Sequence, residues 1–236
     1  MSISDFHTHI LPGIDDGSRS LEISEKMLDI QAAQGVEQIV LTPHFYADEN
    51  RIERFLSRRS TALEALLPLA AARKISLIPG AEVAYFDAMS RAEGLEQLCL
   101  EGSRLMLLEL PFRQWNRRDL DEIEGLLDKK YELILAHLER YIPFQRDKSI
   151  LETLLTLPLL VQINAESLLT FRSRRMVLKL FSAGKAHLLG SDCHNLDSRR
   201  PNLAEGRGVL QKKLGPAFLE EMDARGSQLI ALCSPR

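Results

Sequence analysis

The chain has 236 residues, 45% of them hydrophobic, and its 30 Lys and Arg against 33 Asp and Glu leave a formal charge of −3. That length suits one α/β barrel with a substantial core, and the charge excludes general attraction to nucleic acid or an anionic membrane surface. No apolar run is long enough to insert in a bilayer, the opening MSISDFH has no signal-peptide core, and three scattered cysteines (99, 193, 233) have no zinc-finger spacing, so a cytoplasmic location is expected.

The first apolar run, Ile3–Phe6, predicts a strand that leads directly into His7-Thr8-His9. A helix follows, with Ile23, Met27 and Ile30 at helical spacing and Gly35 as its left-handed terminator. Val36–Leu41 predicts the second strand, and Glu49–Ala72 a helix with an arginine-rich face. The arginines at 51–59 read as a solvated face or as a docking surface for an acidic phosphorylated tail. Further strands are expected at Ile75–Ile78, Leu105–Leu110, Leu133–Ala136, Leu159–Ile163 and His187–Gly190. Asp119–Lys129 and Ser173–Ala183 read as helices, the latter with Ser173 as N-cap and Gly184 as stop. Helices around Leu203–Leu214 and Pro216–Ala224 complete the series. Strands alternating with helices imply parallel βαβ units. Seven strands without a linker or repeat predict a single barrel domain over residues 1–236.

In a barrel, the C-terminal ends of the strands converge on one mouth. There the sequence places His7, His9, Asp15, Asp16, His44, Glu82, Glu109, His137, Asp192 and His194, so five of the six histidines fall in this set. His7 and His9 are two residues apart, which in a strand turns both to the same side. One histidine at a strand end is usually structural. Five, with carboxylates in equivalent positions, point to a polynuclear site for borderline or hard divalent cations.

Six segments carry a more specific signal: DFHTHILPGIDDGS at 5–18, TPH at 42–44, PGAEV at 79–83, LLELPF at 107–112, AHLER at 136–140 and SDCHN at 191–195. In this order they resemble the polymerase and histidinol phosphatase (PHP) superfamily of metal-dependent phosphoesterases. Within it they are most similar to the bacterial manganese-dependent protein-tyrosine phosphatases of capsule and exopolysaccharide operons. The resemblance implies a PHP-type distorted (β/α)7 TIM-like barrel with three metal ions at the C-terminal ends of the strands. The first ion would take His7, His9, Glu82 and Asp192, and the second Glu82, Glu109 and His137. The third would take Asp16, His44 and His194, with Asp15 either orienting a ligand from behind or serving the loop. Manganese is implied by the resemblance; the ligand types also permit iron, zinc or cobalt. The implied reaction is hydrolysis of phosphotyrosine by a metal-activated water, because clustered cations neutralise the dianion and lower the pKa of bound water. The implied substrate is the phosphorylated tail of a bacterial tyrosine kinase.

Asp16, His44 and His194 would then share the catalytic face with Arg140 and Arg199. An arginine fork suits phosphate oxygens. Arg140 follows His137 closely; Arg199 matches the family's later arginine in an ungapped reading, and Arg200 matches it if Pro201 sets the register. Two departures stand out. Leu138 replaces the family's usual proline, and Glu166 adds a negative charge near the expected mouth. Cys193 and Arg199 have the spacing of cysteine-dependent phosphatases, but the intervening residues contain no glycine and Asp192 adjoins the thiol, so Cys193 reads as packing. Trp115 reads equally as packing or as a stacking surface for an aromatic leaving group. Rival readings are a histidinol-phosphate or other small-molecule phosphatase, an amidohydrolase, and an inactive PHP module that only binds.

Overall fold

The computed structural model describes residues 2–233. Its strands are β1 (Ile3–Thr8), β2 (Val36–Leu41), β3 (His44–Phe45), β4 (Ser76–Pro79), β5 (Glu82–Ala84), β6 (Leu105–Glu109), β7 (Glu132–Leu135), β8 (Leu160–Asn164) and β9 (Leu188–Gly190). All seven predicted strands are present, and every pairing is parallel. The two additional strands, β3 and β5, are continuations. Thr42-Pro43 interrupts the path from β2 to β3, and Gly80-Ala81 the path from β4 to β5. Bonds from Gly80 N to Leu41 O (2.9 Å) and from Glu82 N to Pro43 O (3.0 Å) carry the pairing across both breaks.

The sheets run β1-β2-β4 and β3-β5-β6-β7-β8-β9. The curl closes where Thr8 bridges Cys193. Asp192 N donates to His7 O at 2.8 Å and His9 N to Cys193 O at 3.0 Å. Seven strand paths thus form the distorted barrel that the sequence predicts. Phe6, Val40, Ile78, Leu105, Leu107, Ile134 and Leu188 come from six strands and meet in one cluster, joined by Leu229 and Ile230. Side chains from unpaired strands can touch this way only across the enclosed axis, so that cluster fills the barrel below the mouth.

The longer helices are α1 (Leu21–Ala33), α2 (Ile52–Ala72), α3 (Arg117–Asp128), α7 (Phe171–Ser182), α8 (Leu203–Leu214) and α9 (Pro216–Ile230). Short turns of helix, α4 (Leu138–Tyr141), α5 (Ser149–Leu154) and α6 (Glu166–Leu169), lie between α3 and α7. α1 ends as expected, with Gly35 at φ 78°. Its buried face is Ser24, Met27, Leu28 and Gln31; of the predicted Ile23-Met27-Ile30 stripe Met27 is fully buried, while Ile23 and Ile30 are half-buried. The two polar residues turn inward because they have partners: Ser24 Oγ donates to Ile10 O (2.6 Å) and Gln31 Nε2 to Asp5 Oδ2 (2.6 Å). α2 begins at Ile52, three residues later than expected, because residues 47–49 form a turn that bonds back to Tyr46 O. α3 starts earlier, at an Asn116/Asp119 capping box. Ser173 is not an N-cap: α7 starts after Thr170, and Ser173 Oγ donates to Ser167 O at 2.6 Å. No helix among the described residues is long and apolar enough to cross a membrane.

Gly190, at the end of β9, has no room for a side chain. A Cβ there would sit 2.6 Å from His7 Cβ and 2.8 Å from Gln162 Nε2. Gly190→Ala should therefore destabilise the fold by about 1–3 kcal/mol, as overpacking commonly does. Urea unfolding measures this, and an unchanged midpoint would show that His7 yields freely.

Candidate metal centre

His7 and His9 leave β1 side by side and fully buried. Each ring has one nitrogen assigned by a neighbour. His7 Nδ1 faces Gln162 Oε1 at 3.0 Å, and His9 Nδ1 faces Asp15 Oδ2 at 2.7 Å. A carbonyl or carboxylate oxygen can only accept, so both protons sit on Nδ1. Both Nε2 atoms then present lone pairs, and they lie 3.0 Å apart. Glu82 Oε2 lies 3.1 and 3.2 Å from them, and Asp192 Oδ1 3.5 Å from each. With both rings neutral, four electron-rich atoms would repel one another unless positive charge stood among them, supplied by a metal ion or, without one, by a further proton on an imidazole.

The pattern continues on both sides. His137 Nε2 lies 2.8 Å from Glu82 Oε1 and 3.5 Å from Glu109 Oε1. His44 Nδ1 lies 3.0 Å from Glu82 Oε2, without hydrogen-bond geometry. Asp16 Oδ1 lies 3.6 Å from His44 Nε2 and 3.3 Å from His194 Nε2. Glu82 Oε2 and His194 Nε2 are buried without a hydrogen-bond partner. Buried polar atoms are rarely left so in a finished structure. Ligand atoms close enough to share an ion fall into three overlapping groups: His7, His9 and Glu82; His9, Asp16, His44 and His194; and His44, Glu82 and Glu109. These groups hold seven of the nine expected ligands, Asp192 and His137 lie beside them, and the donor set fits divalent cations.

Local backbone explains how they arrive. His137 (φ 28°) and Asp192 (φ 52°) both occupy positive-φ conformations that non-glycine residues seldom adopt. Strain of this kind persists where surrounding contacts over-determine it. Asp192 is held by its backbone bond to His7 and by Asn164 Nδ2, which donates to its Oδ2 at 2.7 Å. Gly17 lets the Asp15-Asp16 loop fold onto His9, since a Cβ there would collide with the His9 carbonyl. Arg58 clamps the same loop by donating to Ile14 O at 2.7 Å.

Sequence reasoning missed Gln162. Its Oε1 faces His7 Nδ1 and accepts from His137 N (2.9 Å), while its Nε2 donates to Asn164 Oδ1 (2.9 Å). The signal was there: Gln162 and Asn164 are polar residues at i and i+2 in an otherwise apolar strand. Asp15 holds the outer nitrogen of His9 at 2.7 Å. Burial opposes its ionisation, yet the His9 hydrogen bond holds it at about 2. Burial opposes charge on His9 too, but Asp15 and Glu82 raise that imidazole to about 10 in the metal-free protein. Burial likewise disfavours the Asp192 carboxylate, but His7 and His9 hold it below the usual range.

The arginines divide. Arg199 Nη2 lies 2.7 Å from Asp192 Oδ1, and Arg140 Nη1 lies 3.5 Å from Asp192 Oδ2. Both line a cleft of about 460 Å3 with Asn164, Glu166 and Ser198. Arg200 turns away and pairs with Glu205 at 3.1 Å. Glu166 is exposed on the cleft and accepts from Asn202 Nδ2 at 3.0 Å. Burial, followed by Asp5, pushes the Cys193 thiol up, which is the opposite of an activated nucleophile. Trp115 is 3% exposed and donates through Nε1 to Pro111 O, so it packs.

The fold and these donors are those of a PHP-type metal-dependent phosphoesterase barrel. The family described as Capsular polysaccharide synthesis, CpsB/CapC, matches residues 3–230, and the chain belongs to it. The tyrosine-protein phosphatase CpsB of Streptococcus pneumoniae is 30% identical over 233 residues, covering 92% of this chain and 93% of that protein. The tyrosine-protein phosphatase YwqE of Bacillus subtilis is 28% identical over 221 residues, covering 89% and 85%. A crystal structure from the work on YwqE and CpsB, described as metal-dependent tyrosine phosphatases, has a TM-score of 0.86 at 24% identity, covering 98% of this chain and 96% of that one. It shows the same fold.

Asp15 supplies a test of the orienting contacts. Asp15→Asn keeps the shape but removes the charge behind His9, and losing such a partner typically costs about 10- to 100-fold in metal affinity. Calorimetric titration with Mn2+ should show that loss. Wild-type affinity in the variant would mean that Asp15 does not orient His9.

Proposed function

We propose that this chain is a metal-dependent protein-tyrosine phosphatase that binds three divalent ions, manganese in its native state. The facing Nε2 atoms of His7 and His9, with the Glu82 carboxylate between them, carry this reading. With neutral imidazoles those atoms need positive charge among them, and a divalent ion supplies it. His7, His9, Glu82 and Asp192 would hold the first ion, Glu82, Glu109 and His137 the second, and Asp16, His44 and His194 the third. When bound, such ions neutralise a phosphate dianion and activate a water.

The rest is work for the chain's own groups. Arg140 and Arg199 stand at the cleft and bind the phosphate oxygens, where a guanidinium fork strengthens as charge builds. Both rest on Asp192, so filling that carboxylate's coordination frees them to turn to substrate. Gln162 and Asp15 keep the imidazole protons on the outer nitrogens and the lone pairs inward. The buried floor excludes bulk water. The relatives' names support a phosphotyrosine protein as substrate, and the tail of a bacterial tyrosine kinase acting in polysaccharide export fits a family of capsular polysaccharide synthesis. Such a tail places the enzyme in the cytoplasm.

Glu82 is shared between ions in this arrangement. Glu82→Ala should lose more than one metal equivalent and nearly all phosphotyrosine hydrolysis, and a chelator should abolish turnover of the wild type. Elemental analysis showing full metal content in the variant would refute the sharing. Arg140→Ala and Arg199→Ala should instead keep their metals and lower kcat/KM by roughly 10- to 150-fold, the equivalent of about 1.5–3 kcal/mol for a charge-assisted contact. Lysine should rescue only in part. Wild-type rates in both alanine variants would remove the arginines from the site, and a wild type that prefers an amide over every phosphomonoester would make the protein an amidohydrolase.

A further inference from the structure

Two aromatic side chains stand against the candidate ligands. Tyr46 stacks on His44, with ring centroids 5.2 Å apart and planes 26° apart. Phe112 stacks on His137 at 5.9 Å and 19°. The Arg140 guanidinium carbon lies 4.9 Å from the Phe112 centroid, which ties this ring to the phosphate-binding side. Phe112 is 38% exposed, in a structure that buries nearly all its large apolar groups.

Tyr46 and Phe112 are walls of one cleft of about 370 Å3, whose remaining lining includes Ala84, Tyr85, Phe86 and Glu109. Its volume lies at the lower end of the range for small-ligand pockets. Glu109 also faces His137, so the cleft opens directly on the metal centre. Four aromatic side chains therefore surround a space that begins at the ligands themselves.

We propose that this cleft receives the aryl ring of the phosphotyrosine side chain, and that Phe112 and Tyr46 select aryl over alkyl phosphomonoesters. The proposal rests on the phosphatase reading. With phosphate at the metals and arginines, the ester substituent would leave through the cleft that adjoins Glu109. A phenyl ring there would lie among aromatic side chains, and ring pairs attract at centroid separations of about 4.5–7 Å. A short alkyl ester reaches neither wall and leaves both wet. Trp115, the aromatic residue that sequence alone singled out in this segment, is sealed in the core; the ring that reaches the mouth is three residues earlier.

The experiment uses the full chain loaded with Mn2+ and two non-hydrolysable probes, phenylphosphonate and methylphosphonate, titrated calorimetrically. Wild type should bind phenylphosphonate at least about tenfold more tightly, the scale on which hydrophobic pockets discriminate. Phe112→Leu and Tyr46→Leu keep apolar bulk and remove the ring face. In each, that ratio should fall about fivefold or more with metal content retained, because stacking contributes beyond area alone. The ratio of kcat/KM for phosphotyrosine over phosphoserine peptides should fall with it. Equal binding of both probes by wild type, or an unchanged ratio in both variants, overturns the aryl cleft. Preferential phenylphosphonate binding by a wild type that hydrolyses no phosphomonoester would overturn the phosphatase reading and still support the cleft.

Discussion

Unshared lone pairs govern this molecule. Gln162 and Asp15 hold the outer protons of His7 and His9, so in the neutral rings the inner nitrogens have nothing to donate. Glu82, 1% exposed, adds a carboxylate between them. Burying a charge without a partner is costly, and burying several of one sign more so. The stabilising partner has to be positive and small enough to sit among atoms about 3 Å apart. Cations meet both conditions. Two arginines at the rim do not, since the carboxylate they pair with is Asp192 rather than Glu82.

Much of the barrel is arranged to deliver these atoms. The strand breaks at Thr42-Pro43 and Gly80-Ala81 place His44 and Glu82 opposite each other in paired positions. The closing contacts between β1 and the segment after β9 bring His7 and His9 beside Asp192 and His194. Positive φ at His137 and Asp192 turns two side chains inward that a regular strand end would not. Glycines at 17 and 190 leave the space that these approaches need. Stability is given up locally at each of these points, and the packed cluster beneath the mouth supplies the rigidity that holds them.

Much of this was legible in the sequence because ligand chemistry and strand periodicity are local signals. His7-Thr8-His9 announces a shared side, and each apolar run marks its strand to within a residue or two. The rest depended on tertiary contact. Nothing local separates Arg199 from Arg200; only the structure shows one on Asp192 and the other on Glu205. Trp115 and Phe112 are both aromatic residues after the same strand, and burial alone distinguishes them. α1 buries Ser24 and Gln31 because their partners, Ile10 in the loop after β1 and Asp5 in β1, lie outside the helix. Gln162 was readable as a polar interruption of β8, but its target lies 155 residues away.

The site divides the labour by chemistry. The buried floor holds imidazoles and carboxylates, the guanidiniums and aromatic rings stand around it, and Arg140 lies over the Phe112 ring. Each would meet a different part of a phosphotyrosine: the dianion, its oxygens and the ring. All of it depends on cations occupying the floor. The most direct measurement is anomalous X-ray scattering at the manganese edge from crystals of the Mn2+-loaded protein. Three peaks are predicted, all within coordination distance of the nine ligands, with Glu82 shared between two. A floor without any peak, its imidazoles still in the same places, would contradict the cation requirement on which the phosphatase reading stands.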